Sequence, residues 1–142
     1  MDCLLFRHGI AYDREDWRGN EQNRPLTEKG RIRTRQSSKG LLALGLLPTH
    51  ILSSQLARAR QTATIMRALM SAAPPLRICP ELNPDVPPRV VIALLNTLPS
   101  DAVVLCVGHE PHLSATAGIL LTGKVCHGLS LKKAGACLLH LE

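Results

Sequence analysis

The sequence predicts an α/β fold, a three-layer α/β/α sandwich around a mostly parallel central sheet. Two observations carry this. Short apolar runs alternate with segments of helical period along the chain, the pattern of strands feeding helices that cover both faces of a sheet. Residues 102–107 (AVVLCV) are apolar without alternation and rich in valine, as a strand buried on both faces requires. The 142 residues suit one core, so residues 1–142 read as a single domain.

Taken in order, residues 3–6 (CLLF) read as a first buried strand. Residues 9–25 are polar and form a long loop, a feature that in compact domains is usually functional or mobile. Thr27 reads as the N-cap of a helix to about residue 44, with Glu28 where the helix dipole favours a carboxylate. Gly45 suits the position just past that helix, and Pro48 bars its continuation. Residues 50–53 read as a second strand. Residues 56 to about 70 read as a second helix, with Ile65, Met66, Leu69 and Met70 toward a core. Pro74 and Pro75 end it, and residues 76–79 form a third strand. Pro87 and Pro88 suit the first turn of a helix to about residue 98. The strand at 102–107 follows, then a helix over 111–121 and a last strand over 136–141.

Composition narrows the function classes. Aromatic residues make up only 2% of the chain, so the core is built from Leu, Val, Ile and Ala. The net charge of +6 favours anionic partners. Nucleic acid is not expected: single-strand binders offer stacking aromatics, and this chain has only Phe6, Tyr12 and Trp17, with Lys and Arg spread along it. Five cysteines (Cys3, Cys79, Cys106, Cys126 and Cys137) form no C-x-x-C pair and read as buried reduced thiols of a cytoplasmic protein. The first apolar run meets Arg7-His8 too soon for a signal peptide, and no stretch is long enough to span a membrane. A cytoplasmic monomer without membrane partners is the expectation.

Open α/β sheets place ligands beyond the carboxyl ends of their strands. Arg7, His8 and Gly9 follow the first strand; Ser53, Ser54 and then Arg58 follow the second; Gly108, His109 and Glu110 follow the central one. Arg58 and Arg60 fall in the opening turns of a helix, where the dipole disfavours a cation by about 0.3–1 kcal/mol. Arg60 reads as solvent-facing. Arg58 reads as an anion ligand at the helix N-terminus, and Arg7 adds a second guanidinium fork suited to phosphate. His8 is then a candidate nucleophile forming a covalent phosphoryl intermediate, with nearby arginines disfavouring imidazolium and Gly9 permitting close approach of a bound oxyanion. A half-buried structural histidine is the competing reading. His109 is placed to donate a hydrogen bond to a transferring phosphoryl oxygen. A metal on His109 and His112 would lack further ligands at suitable spacing, so no metal is expected. His50, His112, His127 and His140 look incidental.

These residues also match a family pattern. Residues 5–9 (LFRHG) resemble the L-x-R-H-G motif of the histidine phosphatase superfamily, and residues 24–30 (RPLTEKG) resemble R-P-L-T-x-x-G of its SixA-type branch. Residues 53–63 (SSQLARARQTA) resemble S-S-P-x-x-R-A-x-Q-T-A, with Gln55 in place of Pro, and residues 107–111 (VGHEP) resemble V-G-H-x-P. The resemblance implies a phosphoglycerate mutase-like fold, His8 as the phosphorylated nucleophile, and a phosphate pocket of Arg7, Arg58 and His109. It adds Arg24 as a further phosphate contact and implies no cofactor. Mutase activity is not expected, since it goes with a longer chain.

The general acid is the weak point of the pattern. Glu21 is the candidate, with Asp16 and Glu81 as others, yet none sits in a diagnostic motif, and a solvated acidic loop competes as the reading of Glu21 and Asp16. A phosphohistidine leaving group needs less acid help than an alkoxide, because the leaving imidazole sits on a labile P–N bond. The expected partner is therefore a phosphorylated protein, a phosphohistidine carrier or phosphorelay domain. A small phosphorylated molecule is the alternative substrate. A phosphoprotein-binding module without turnover is the alternative of another class.

Overall fold

The structure, a computed structural model, describes residues 1–142. Five strands form one sheet: β1 (Asp2–Arg7), β2 (His50–Ser53), β3 (Leu76–Ile78), β4 (Val103–Gly108) and β5 (Ala136–His140). Their order is β3-β2-β4-β1-β5. All pair in parallel except β5, which runs antiparallel to β1 at the edge. Central β4 is the strand predicted from AVVLCV, and it is buried along nearly its whole length.

Alternation of side chains across the sheet splits the core into two halves. Leu4, Phe6, Ile51, Leu105 and Val107 face α1 (Glu28–Ala43) and α2 (Ala57–Ala68). Cys3, Leu5, Leu52, Val104 and Cys106 face α3 (Pro88–Leu95) and α4 (His112–Thr122). The result is the expected three-layer sandwich. No helix is long and apolar enough to cross a membrane. All five cysteines are free, with Cys126 exposed rather than buried.

Local chemistry sets the element ends. Thr27 caps α1, its Oγ1 accepting from the Gly30 N–H at 2.9 Å, and Gly45 follows the helix with φ +83°. Some expectations shift. In α2 the buried stripe is Ala59, Ala63 and Met66, while Ile65, Leu69 and Met70 are only half-buried. Small residues let this helix lie close to the sheet, and Ile65 turns toward α1. α3 ends at Leu95 because the Thr97 and Leu98 N–H groups close on carbonyls three residues back, tightening the last turn. α4 begins at His112, one residue beyond Pro111. The long polar loop is ordered by an Ala11–Leu26 bridge and a 3-10 turn at Glu21–Asn23 capped by Asn20.

One contact seats the site. Gly9, just after β1, lies against α1 so closely that a Cβ there would stand 2.1 Å from Thr34 Oγ1. A Cβ on Gly30 would stand 2.0 Å from the Ile10 carbonyl oxygen. Gly30 needs glycine because backbone meets backbone, and Gly9 because the buried Thr34 hydroxyl occupies the space a Cβ would take.

Candidate active site

Register brings the carboxyl ends of three strands level: Arg7 stands opposite Gly108, and Ser53 opposite Val107. The residues that follow each strand therefore converge, as open parallel sheets dictate. They line a cavity of ≈ 220 Å³ that includes Arg7, His8, Arg14, Arg24, Arg58, His109 and Lys133. Arg60 lies outside it and is exposed.

His8 is buried. Its Nδ1 lies 2.7 Å from the Gly9 carbonyl oxygen. A carbonyl only accepts, so Nδ1 carries the proton and Nε2 holds the lone pair. Burial drops the His8 pKa to about 4; the Gly9 bond works against this, and Arg58, Arg7 and Arg24 add to it. The ring is therefore neutral near pH 7, with a nucleophilic nitrogen free.

His109 has the complementary arrangement. Its ring centroid is 5.1 Å from that of His8. Its Nε2 lies 2.8 Å from Ser54 Oγ, and that hydroxyl already accepts from the Leu56 N–H at 3.1 Å. The serine proton is thus free to go to Nε2, which places the imidazole proton on Nδ1. Nδ1 is buried with no protein partner. Burial, then His8 and Arg58, hold the His109 pKa well below the ordinary histidine value. A neutral donor beside a neutral nucleophile suits a transferring phosphoryl group. No group of three or more His, Cys, Asp or Glu side chains is gathered as a metal site.

The cations are held by different means. Arg7 Nη1 donates to the Leu131 carbonyl at 2.8 Å. The Leu131 N–H in turn donates to Glu110 Oε2 at 3.2 Å, and Glu110 Oε1 accepts from the Ser114 N–H at 3.0 Å. Glu110 thus ties the start of α4 to the loop that positions Arg7. Arg58 is 5% exposed, and its Nε and Nη1 make no hydrogen bond within the protein. Burial, then Arg24, lower its pKa to about 10, so it stays charged at neutral pH and lacks a full counter-ion. Two buried guanidinium nitrogens without acceptors are costly unless an anion binds them.

Glu21, the candidate proton donor, does not fit that role. Arg24 grips it with two bonds, Nε to Oε2 and Nη2 to Oε1, both 3.0 Å. Arg58 Nη1 lies 3.5 Å and Arg14 Nε 3.6 Å from the same Oε1. The Arg24 bonds lower the Glu21 pKa; burial opposes them, and the charges of Arg24, Arg58 and Arg14 add to the lowering. The carboxylate stays ionised and anchors Arg24, whose third nitrogen, Nη1, bonds the Tyr12 carbonyl oxygen. Asp16 and Glu81 do not line the cavity.

Sequence reasoning gave no role to Ser54, Thr62, Glu110 or Gln61. Thr62 Oγ1 accepts from the Gly9 N–H at 3.0 Å and donates to the Arg58 carbonyl at 2.8 Å. Gln61 Oε1 accepts from the Leu26 N–H at 2.9 Å. The Ser-Ser and Gln-Thr pairs that carry these contacts stand inside the matched motif of residues 53–63, which was the available signal.

Comparison with known proteins shows the family and the fold. Residues 3–83 match the histidine phosphatase superfamily (branch 1). An uncharacterized protein of Picosynechococcus sp. PCC 7002 is 40% identical over 141 residues, covering 95% of this chain and 82% of that one. Among solved structures, the protein histidine phosphatase SixA complexed with tungstate superposes with a TM-score of 0.84 at 24% identity, over 97% of this chain and 86% of that one. A mycobacterial glucosyl-3-phosphoglycerate phosphatase superposes with a TM-score of 0.75 at 19% identity, over 97% of this chain and 90% of that one. At these identities the two structures share the fold.

Proposed function

The chain belongs to the histidine phosphatase superfamily (branch 1), and from that premise we propose that it is a phosphatase that dephosphorylates phosphohistidine in proteins through a phosphoenzyme on His8. The observation that carries this reading is the His8 ring, pinned by Nδ1 to the Gly9 carbonyl with Nε2 free among Arg7, Arg24, Arg58 and His109.

In this reading the phosphoryl oxygens take the place of missing counter-ions. Among the cavity-lining residues, Arg58 Nε and Nη1, Arg7 Nε and the His109 Nδ1–H are buried donors without a partner, and each would point a hydrogen bond at developing charge. His8 Nε2 forms a bond to phosphorus as the substrate's P–N bond breaks. The freed imidazole takes its proton from solvent. Water then attacks the phosphorus of the phosphoenzyme, giving phosphate and restoring His8. Transfer from one imidazole to another exchanges like for like, so no strong acid is needed. That suits a cavity whose only lining carboxylate, Glu110, is occupied by two backbone N–H groups.

The test is a phosphoenzyme trap. Brief incubation with a phosphohistidine protein followed by mass spectrometry is expected to show one acid-labile phosphate on His8, and none in His8→Ala. Equal turnover by wild type and His8→Ala would remove His8 as nucleophile. A second reading, a small-molecule phosphomonoesterase, draws on the likeness to the glucosyl-3-phosphoglycerate phosphatase fold. A higher kcat/KM on a phosphorylated metabolite than on any phosphohistidine protein would favour it. Tight binding of a phosphoprotein without phosphate release would favour a binding module instead.

A further inference from the structure

Cations that look dispersed in the sequence gather in one layer of the fold. α1 and α2 together hold eight cations against one carboxylate, Glu28, more excess charge than the +6 of the whole chain. On the opposite face of the sheet, α3 and α4 hold a single cation, Arg89. Of the eight, only Arg58 enters an ion pair. Arg31, Arg35 and Lys39 recur at four-residue spacing and are exposed. They therefore stack on one side of α1, where like charges repel and weaken the helix. Lys29 and Arg31 also lie at the positive end of its dipole. None of these cations forms an ion pair, and Glu28 is the one carboxylate on their helix.

Between the two helices runs an open groove of ≈ 330 Å³, lined by Arg31, Ile32 and Arg35 of α1, with Glu28 at its start, and by Thr64, Ile65 and Ala68 of α2. Ile32 is 51% exposed, an apolar side chain between arginines, and arginine is enriched at protein interfaces. The groove and the site share α2, which contributes Thr64 and Ile65 to the one and Arg58 to the other. Arg60, exposed on α2, follows Arg58 by two residues, about 3 Å of helix rise. A protein interface of ordinary size covers about 800 Å² on each partner, a disc of roughly 16 Å radius. That radius exceeds the roughly 9 Å of helix rise along α2 between Arg58, which lines the site, and Thr64, which lines the groove.

We propose that the outer face of α1 and α2 is a docking surface for an acidic face of the phosphorylated protein substrate, placing its phosphohistidine over His8. This rests on the protein-substrate reading above. Charge complementarity selects the partner, and the helices carry no aromatic residue on which nucleic acid bases would stack. Such a surface acts mainly through encounter rate and orientation and is screened by salt.

The experiment compares wild type with Arg31→Glu/Arg35→Glu on two probes: 4-nitrophenyl phosphate, and a histidine phosphotransfer domain of negative net charge phosphorylated with phosphoramidate. The expected result is kcat/KM at least tenfold lower on the domain and unchanged on the ester. The gap should narrow in 0.5 M NaCl and close in Arg31→Lys/Arg35→Lys. Equal loss on both probes, or no loss on either, overturns the surface while leaving the protein-substrate reading intact. A variant that loses only binding to a thymidine oligonucleotide, with unchanged kinetics on the domain, assigns the face to nucleic acid and overturns it too. Wild type that hydrolyses the ester but not the domain overturns the protein-substrate reading, and the docking surface with it.

Discussion

Two neighbouring imidazoles share the Nδ1–H tautomer yet present opposite functions, a free Nε2 lone pair on His8 and a free Nδ1–H on His109, because the Gly9 carbonyl fixes the first ring at Nδ1 and the Ser54 hydroxyl fixes the second at Nε2. The Gly9 carbonyl is His8's neighbour in sequence, but which ring nitrogen it meets depends on how the chain leaves β1, and the Ser54 hydroxyl reaches His109 only after the ends of β2 and β4 are aligned. Arg24 and Glu21 make the same point about charge. Glu21 was legible as an acidic residue in a long polar loop, yet its two bonds to Arg24 turn a candidate donor into a fixed anion beside the arginines of the cavity. A bound phosphate would be repelled by that carboxylate, by on the order of 1 kcal/mol for unit charges about 4 Å apart even in water, and more where solvent is excluded. Glu21→Gln is therefore expected to tighten competitive inhibition by inorganic phosphate about three- to tenfold. The acid limb of the kcat pH profile should keep its position. Loss of that limb's counterpart at high pH, with a fall in kcat of a hundredfold or more, would restore Glu21 as the general acid. Ser54→Ala should lower kcat on the same assay without this gain in phosphate affinity, since it frees the His109 ring rather than the anion pocket.

Elements were legible where one chemical signal decides them. Thr27, Gly45 and the all-apolar 102–107 run each gave an element or boundary that the structure has, within a residue or two. The buried face of α2 was not. A large-residue stripe through Ile65 and Met70 outweighs Ala59 and Ala63 on any hydrophobicity count, but the helix lies close against the sheet, and closeness favours alanine. The same closeness governs α1, where two glycines separated by ten residues should respond oppositely to one substitution. Gly30→Ala puts a Cβ 2.0 Å from the Ile10 carbonyl oxygen, forcing backbone apart at a cost of about 1–3 kcal/mol. Gly40 is exposed and has nothing within 4 Å of an added Cβ, so Gly40→Ala should gain about 0.5–1 kcal/mol of helix stability. Thermal melts are expected to move in opposite directions, down by roughly 4–10 °C and up by roughly 2–4 °C. Gly30→Ala should also lower turnover although the residue touches no substrate, because α1 seats the segment carrying His8 and Gly9. Melts that move the same way for both would refute the close packing of α1 on the β1 exit.

At the scale of the whole molecule, alternating apolar runs were enough to specify a mostly parallel three-layer sandwich, because helices following parallel strands must cover both faces. Charge was not legible in the same way. Lys and Arg are dispersed along the chain, and only the assignment of α1 and α2 to one layer concentrates them. Burial of histidines is a property of the assembled fold as well, and it has a consequence for stability. His8, His109 and His112 are all buried, and desolvation lowers the pKa of each, that of His8 to about 4. Between the unfolded value of 6.5 and the folded value, the unfolded chain binds protons that the native chain refuses, so stability falls as pH falls through this window. For His8 alone the loss reaches roughly 2–3 kcal/mol by pH 4.5, about 8 °C in a melt for a chain of this size. His109 and His112 add to it. A bound oxyanion opposes the effect twice over: it stabilises the native state by mass action, and its negative charge favours the protonated rings. Melting temperature is thus expected to drop steeply from pH 7 to pH 4.5 in a non-binding buffer, and much less with saturating tungstate or phosphate. His8→Asn should flatten the oxyanion-free curve, since it removes the buried ring whose protonation the native fold resists. A melting temperature independent of pH over this range, or a slope unchanged by His8→Asn, would mean that the ring at residue 8 is not held neutral by burial, and the nucleophile would lose its physical basis.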